Sequence, residues 1–202
     1  MKIVVDITHY PHVNFFKNAI FYLMHKGIDV KVIVQPRGNL TSILEYEYEL
    51  PYESFGHHKS SMFGKLINLA IKDISLFNYL RSNQCDVVTG VGIISPAHAA
   101  FVLKKPSVAF DDDIEQKSCY YLYKPFATNI VFPECVPAKG KNILKYKGFK
   151  ELAYLHPKYF TPSQLILEEY NLAPKRYVFI REVSNKTTNY YGLKEGALSK
   201  VC

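Results

Sequence analysis

The sequence predicts an α/β fold whose core is a doubly wound, mostly parallel β-sheet. Short runs of β-branched and other apolar residues recur along the chain, and such runs are typical of strands buried on both faces. Between them lie segments whose apolar residues recur every three or four positions, which indicates helices with one buried face. This alternation repeats through six strands, and strands that alternate with helices form Rossmann-like parallel sheets.

The first forty residues contain a complete βαβ unit. Residues 2–7 form a buried β-branched strand, and residues 14–26 carry apolar side chains at helical spacing. Asn14 is the expected N-cap of this helix. Gly27 follows the helix and is expected to adopt the left-handed backbone conformation, a left-handed stop, that commonly ends a helix. A second strand follows at residues 29–35, so the crossover is expected to be right-handed.

The same alternation continues to residue 133. Further strands are predicted at residues 52–55, 86–89, 107–110 and 129–132. Helices are predicted at residues 40–46, from Ser60 or Ser61 to residue 82, at 96–103 and at 117–126.

The regular alternation stops after residue 133. Residues 134–176, rich in Lys, Pro and Tyr, are predicted to connect two domains and to contain one helix at residues 162–170. A new strand is predicted at residues 177–180, but one strand cannot bury itself. We therefore expect a Rossmann-like N-terminal domain over residues 1–133 and the truncated start of a C-terminal domain over residues 177–202.

Composition and charge narrow the classes of function. No stretch approaches the ~18 apolar residues of a membrane-spanning helix, and the N-terminus opens into a strand rather than a secretory signal, so a cytoplasmic address is expected. The net charge of +7 is not accompanied by a nucleic-acid-binding motif. Lysines concentrate at residues 139–150, which favours a solvated face or a peripheral contact with the inner face of the membrane.

Polar, titratable and glycine residues follow five of the predicted strands. Because ligands of open parallel sheets bind at the carboxyl ends of the strands, these residues are expected to gather at one edge. They are His9 and His12 after the first strand, Arg37 after the second, His57 and His58 after the third, Gly90, Gly92 and Ser95 after the fourth, and Asp111, Asp112, Asp113 and Glu115 after the fifth.

His12 is the candidate general base. It is predicted to lie just before the N-terminus of the first helix, where the helix dipole disfavours an imidazolium. A neutral imidazole there is suited to taking a proton from a hydroxyl group. The alternative is that His12 only caps or packs at the start of the helix.

The other motifs have weaker chemical specificity. The D-x-D spacing of Asp111 and Asp113 could hold a divalent cation, but helix capping or contact with an acceptor is favoured, and no metal or cofactor is expected. Gly90 and Gly92 fall short of a dinucleotide-binding fingerprint and indicate close backbone approach to a ligand or a neighbouring segment.

Three segments resemble a known family. DITHYPHVNFFKNAI at residues 6–20, VAFDDDIEQ at residues 108–116 and YKGFKELAYLHP at residues 146–157 are similar to segments of the domain-of-unknown-function 354 family of bacteria and archaea. Members of this family look like GT-B proteins, related to glycosyltransferases and to the non-hydrolysing UDP-N-acetylglucosamine 2-epimerases.

The resemblance implies two Rossmann-like domains that face each other across a cleft. The N-terminal domain would hold the acceptor and the C-terminal domain the nucleotide-sugar donor, which is a substrate and not a cofactor. His12 matches the histidine that precedes the first helix in the family, and Asp112 and Asp113 match its acidic loop. Because the second half is incomplete in this sequence, a partner chain is expected to supply the donor site.

Three functions follow from the resemblance and the residues. The leading hypothesis is transfer of a sugar from a nucleotide-sugar to a cell-surface glycan or lipid-linked acceptor, with His12, Asp112 and Asp113 catalytic. His9, Arg37, Gly90, Gly92, Ser95 and Glu115 would bind substrate. The alternatives are a UDP-N-acetylglucosamine 2-epimerase and a non-catalytic half that binds the acceptor or the membrane and acts with a donor-binding subunit.

Overall fold

A computed structural model describes residues 1–36, 38–55, 62–115 and 117–180 of the chain. Within these ranges strands and helices alternate. The strands are β1 Lys2–Ile7, β2 Asp29–Val34, β3 Tyr52–Ser54, β4 Val87–Val91, β5 Ser107–Phe110, β6 Asn129–Pro133 and β7 Ile143–Tyr146. The helices are α1 Tyr10–His25, α2 Leu40–Ser42 with a π-helical turn Ile43–Glu47, α3 Met62–Ser82, α4 Ile94–Val102, α5 Lys117–Tyr123, α6 Leu152–Leu155 and α7 Gln164–Glu169.

All seven strands form one parallel sheet in the order β3-β2-β1-β4-β5-β6-β7. Strand β1 lies between β2 and β4, so that Val5 is paired with Val32 on one side and with Thr89 on the other. The chain first builds the sheet outwards from β1 to β3 and then returns to build it in the opposite direction. The predicted α/β, Rossmann-like class is confirmed, and the order reverses between β1 and β4.

Alternating side chains of the sheet enter two hydrophobic layers. From β1, Ile3, Val5 and Ile7 pack towards α1, while Val4 points to the opposite face. The α1 layer contains Val13, Phe16, Ile20, Leu40 and Leu44. The opposite layer contains Leu76 and Leu80 of α3 with Ala99 and Ala100 of α4, and it continues as a cluster built on Tyr120, Tyr123, Ile130 and Phe132. The two layers explain the apolar runs of the central strands.

Helix α1 begins four residues earlier than predicted, and Asn14 is not its N-cap. The cap position is held by His9, and Pro11 lies in the first turn, where its fixed φ suits a helix start and its missing N–H costs nothing. Asn14 lies inside the helix, and its Oδ1 accepts a hydrogen bond from Tyr48 Oη at 2.7 Å. Gly27 has a φ of +75°, as its predicted role as a left-handed stop requires.

His98 joins the three helices on the second face of the sheet. Its Nδ1 lies 2.9 Å from Asp73 Oδ2 of α3, and its Nε2 lies 2.8 Å from the carbonyl oxygen of Leu122 of α5. Both partners are acceptors, so the doubly protonated ring satisfies both contacts. The hydrogen bond to Asp73 is the main cause that raises the pKa of His98, against the opposing effect of burial.

The sheet contains a seventh strand that the sequence did not predict. Strand β7 pairs with β6, although it falls inside the segment predicted to be a connection. The chain then turns back to α6, where the carbonyl oxygen of Ala153 accepts a hydrogen bond from Asn18 Nδ2 of α1 at 2.7 Å. The YKGFKELAYLHP segment therefore packs onto the first helix.

The chain divides into two units, Met1–Tyr159 and Phe160–Cys202. In the second unit the described residues include helix α7, near the helix predicted at residues 162–170. The strand predicted at residues 177–180 is not formed, and Val178 and Phe179 are 84% and 82% exposed. An isolated strand has no neighbour to accept its backbone hydrogen bonds, which is the physical reason for this error.

We expect Gly90→Ala to lower the free energy of unfolding by about 1–3 kcal/mol, because overpacking a close contact forces the backbone to move. A Cβ at this position would lie 2.6 Å from the carbonyl oxygen of Asp6 and 2.6 Å from Ile93 Cγ2. Urea denaturation monitored by circular dichroism measures the change. Gly140→Ala is the matched control, since its new Cβ would meet only side-chain atoms and no backbone atom, at 3.3 Å or more. Equal stability of the two variants would contradict the argument.

Candidate functional site

A cavity of about 650 Å³ opens at the carboxyl edge of the sheet, where the strand order reverses. Its volume falls in the range of small-ligand sites, and its position is the one that ligands occupy in open parallel sheets. The lining residues come from the ends of β1, β2, β4 and β5, from helices α1, α3, α4 and α5, and from the segment after β7. They are Asp6, Thr8, His9, His12, Gln35, Asn68, Leu69, Lys72, Val91, Gly92, Ile94, Ser95, Asp111, Asp112, Asp113, Cys119 and Lys150.

Seven of the residues predicted to gather at this edge line the cavity. They are His9, His12, Gly92, Ser95, Asp111, Asp112 and Asp113. Gly90 is buried against the backbone of Asp6 and lies outside the lining, because it serves the packing of β4 against β1. Glu115 is exposed and also lies outside the lining. Arg37, His57 and His58, together with Ser60 and Ser61, fall outside the described residues.

His12 lies within the first turn of α1 rather than just before the helix. Its backbone N–H donates to the carbonyl oxygen of His9 at 3.0 Å, and its Nδ1 lies 3.4 Å from Thr8 Oγ1. The rings of His9 and His12 meet edge to face with their centres 5.3 Å apart. The Thr8 contact occupies Nδ1, and Nε2 has no hydrogen-bond partner in the described part of the chain.

The surroundings of His12 favour a neutral imidazole. Burial, together with smaller effects of the nearby His9 and Lys150, lowers the pKa of His12 to about 3. The ring is therefore uncharged at neutral pH, as the sequence analysis expects of a proton acceptor. Burial in the cavity is thus the main cause of the neutral charge state, in addition to any effect of the helix dipole.

The acidic loop after β5 is organised by its first aspartate. Asp111 Oδ1 accepts hydrogen bonds from the backbone N–H groups of Asp112 and Asp113 at 2.8 and 3.1 Å, and Asp111 Oδ2 accepts one from Tyr123 Oη. Burial is the main cause that raises the pKa of Asp111. Asp113 Oδ1 in turn accepts from the N–H of Glu115 at 2.8 Å. Asp111 thus shapes the loop, and its two neighbours face the cavity.

Lys150 lines the cavity, although its sequence context indicates only a basic run. Its Nζ lies 2.5 Å from Asp112 Oδ2, which joins the segment after β7 to the loop after β5. In the same basic run, Lys145 donates to the carbonyl oxygen of Val136 and its Nζ lies 5.3 Å from the centre of the Phe132 ring. The run therefore does not form one uniform surface, because Lys150 is directed into the site.

Asp6 and Lys72 form a buried ion pair that also lines the cavity. Lys72 Nζ of α3 lies 3.5 Å from Asp6 Oδ1 and 3.4 Å from Asp6 Oδ2. Burial is the main cause that raises the pKa of Asp6, and the nearby Lys72 opposes it. In the sequence, Asp6 stands near the end of an apolar strand, and Lys72 stands four residues before Leu76 on the buried side of α3. Neither indicates its partner.

Metal-ligating side chains are not grouped in the described ranges. There, no set of three or more His, Cys, Asp or Glu residues lies close enough together to hold a metal ion. In the same part of the chain, no helix has the length and apolar character needed to cross a bilayer.

Comparison with solved structures identifies the class of the fold. MurG of Acinetobacter baumannii matches with a TM-score of 0.59 and 15% identity, over 74% of this chain and 46% of MurG. The UDP-GlcNAc 2-epimerase of Methanocaldococcus jannaschii matches with 0.60 and 16%, over 77% and 48%. S. aureus MnaA, solved with UDP, matches with 0.60 and 14%, over 84% and 51%. The fold is therefore the Rossmann-like fold that forms about half of these GT-B structures.

The chain belongs to the family of proteins of unknown function DUF354, whose sequence pattern matches residues 1–200. This confirms the resemblance identified from three segments. An uncharacterized protein of Methanocaldococcus jannaschii is 24% identical over 159 residues, which cover 76% of this chain and 46% of that protein. The chain thus spans about half the length of that relative and of the three solved structures.

The two histidines with shifted pKa values are expected to titrate on opposite sides of the ordinary value of 6.5. His12 should remain neutral well below pH 6.5, because burial favours the uncharged ring, whereas His98 should remain protonated above it. Ring carbon and nitrogen shifts followed by NMR across a pH titration test both assignments. A His12 midpoint near 6.5 would contradict the account of the cavity.

The pKa shifts of His12 and His98 also predict how the free energy of unfolding changes with pH. The contribution of His12 is present above its unfolded pKa of 6.5 and is lost as the pH falls towards 3. The contribution of His98 is present below 6.5 and is lost as the pH rises through its raised folded-state pKa. Denaturation of His12→Gln and His98→Gln variants across this pH range should separate the two effects.

Proposed function

We propose that this chain is the acceptor-binding half of a glycosyltransferase-type enzyme. The reaction transfers a sugar from a nucleotide-sugar to a cell-surface glycan or lipid-linked acceptor. The observation that carries the proposal is that His12, Asp112 and Asp113 line a single cavity at the switch point of the sheet. A second, donor-binding half holds most of the donor.

His12 accepts the proton of the acceptor hydroxyl. In the tautomer that donates its Nδ1–H to Thr8 Oγ1, the lone pair of Nε2 is available to a ligand. The acceptor oxygen then bonds to the anomeric carbon, and the bond from that carbon to the donor phosphate breaks. The nucleoside diphosphate leaves with the electron pair of this bond, and the hydroxyl proton passes to His12.

The charge of the donor is needed for this proton transfer. A pKa of about 3 makes His12 a weak base in the cavity as described. A diphosphate placed near Lys150 and His9 would offset the positive surroundings of the ring and raise the pKa of His12 towards neutral pH. Donor binding would thereby prepare the base for the acceptor.

The remaining groups position the two substrates. Asp113 has one carboxylate oxygen committed to the N–H of Glu115 and a second that can accept from an acceptor hydroxyl. Asp112 is oriented by Lys150. The N-terminus of α4, at Ile94 and Ser95, has no side-chain cap and can steady phosphate charge beside Gly92. Arg37 and His9 are assigned to substrate binding in the same proposal.

Contact with a membrane surface is a separate part of the proposal. Lys150 of the basic run enters the cavity and contacts Asp112. The run also contains exposed lysines, at positions Lys139, Lys141 and Lys147. Exposed lysines attract anionic head groups, which would bring the chain close to a lipid-linked acceptor.

We expect His12→Gln to abolish complementation by this chain in cells that lack its gene. The base is lost while the polar character of the position is kept, so transfer should fall by about 10²–10⁴-fold. Incorporation of a labelled sugar into cell-surface glycan measures the effect. His25→Gln, at an exposed position of the same helix, is the control and should complement fully. Full complementation by His12→Gln would refute the role of the base.

An epimerase would need no acceptor, and this difference provides a second test. We expect no isomerisation when the chain, together with its donor-binding half, is incubated with UDP-N-acetylglucosamine and no acceptor. Proton NMR of the sugar C2 position distinguishes the starting compound from its mannose epimer. Accumulation of the epimer without an acceptor would replace the transferase proposal with the epimerase alternative.

A further inference from the structure

We propose that the Asp6–Lys72 pair is a recognition site for two neighbouring hydroxyl groups of a neutral sugar at the floor of the cavity. One hydroxyl donates to Asp6, and the adjacent one accepts from Lys72. The inference rests on the proposed function in that it names the part of the acceptor that this cavity holds. It adds two residues that neither the family motifs nor the acidic loop identify.

The burial of the pair is the first reason to expect a ligand. Asp6 is 2% exposed and Lys72 is 7% exposed, and both belong to the cavity lining. Removing two charges from water costs more than an ion pair usually returns, unless further hydrogen bonds satisfy both groups. A pair of leucine-like side chains would pack at the same place with less cost.

The geometry of the pair is the second reason. The separations of 3.4 and 3.5 Å are longer than the 2.7–2.9 Å of a good charge-assisted hydrogen bond. Lys72 Nζ has three N–H donors, and the described residues offer it no acceptor except the Asp6 carboxylate. The carboxylate likewise accepts only from Lys72 in these residues. The pair therefore retains donors and acceptors that a ligand can use.

The backbone holds Asp6 in place for this contact. Asp6 pairs with Ile33 of β2 on one side and with Gly90 of β4 on the other. A Cβ on residue 90 would lie 2.6 Å from the Asp6 carbonyl oxygen and 3.2 Å from Asp6 Cβ, so glycine permits the close approach of the two strands. Asp6 is consequently fixed by the sheet, while Lys72 is carried by the helix packed on it.

The charge of the pair selects the class of ligand. The carboxylate and the ammonium sum to zero, so a ligand with a full charge would leave one unmatched charge in a buried place. A phosphate would meet Lys72 but would also approach the Asp6 carboxylate. Two adjacent hydroxyl groups offer one donor and one acceptor without net charge, and they match the neighbouring acceptor and donor of the pair.

The test measures equilibrium binding to the full chain without any donor. Methyl α-D-glucopyranoside, methyl α-D-galactopyranoside and methyl α-D-mannopyranoside are the probes, with inorganic phosphate as the charged alternative. The NMR signal of the Lys72 ε-CH₂ group in lysine-labelled protein reports contact directly. We expect at least one glycoside to shift this signal, and analogues that lack one hydroxyl of the recognised pair to bind about tenfold or more weakly.

Variants then separate recognition from stability. Lys72→Met should weaken binding of the same glycoside by about tenfold or more, because it removes the donor. Lys31→Met, which removes an exposed lysine near Asp29, is the matched control and should bind normally. If Lys72→Met does not fold, the Asp6→Asn/Lys72→Gln double variant keeps a neutral hydrogen-bonding pair and is measured in its place. We expect it to bind the glycoside more weakly and to discriminate less strongly against the deoxy analogue, because neutral hydrogen bonds replace the charged ones.

Three results would overturn the inference. They are no shift of the Lys72 signal by any glycoside, a shift by phosphate alone, and unchanged glycoside affinity in the Lys72→Met variant. The proposed function fails differently, because His12→Gln should keep glycoside binding and lose complementation. Glycoside binding at Lys72, combined with full complementation by the His12→Gln variant, would leave this inference standing and refute the role of the base.

Discussion

The site depends on the position of β1 between β2 and β4. Parallel pairing on both sides sets the carboxyl ends of these strands level, and the reversal of strand order leaves a gap above them. The close approach of Gly90 to Asp6 keeps β4 and β1 in this register. Because the loops after β1, β4 and β5 all start from this edge, residues far apart in sequence line one cavity.

Much of the fold could be predicted because the periodicity of the sequence is strong where both faces of an element are buried. Strands β1 and β5 follow this pattern. Prediction failed where burial is partial. Strand β7 is an edge strand with exposed Leu144, and the start of α1 depends on Pro11 rather than on an apolar pattern. The apolar run at residues 177–180 has strand composition, but it pairs with no strand among the described residues.

The candidate site could be predicted only in part, for a related reason. His12, Asp112 and Asp113 follow strands, so the rule for parallel sheets brings them to one edge without any knowledge of packing. Lys72 and Lys150 reach the cavity through a helix and through a segment beyond the last strand. Their positions depend on how α3 and the chain after β7 pack, which neither propensity nor spacing specifies.

The hydrogen bond between Asn18 and the carbonyl oxygen of Ala153 has a consequence for how the molecule is made. It closes a link between the first helix and a segment more than 130 residues later, and the same segment brings Lys150 to Asp112. A nascent chain can pair its early strands while it is still on the ribosome, but this wall of the cavity is added only after the segment that follows β7 has emerged. The acidic loop would thus wait, without its cationic neighbour, for the final portion of the unit to be synthesised.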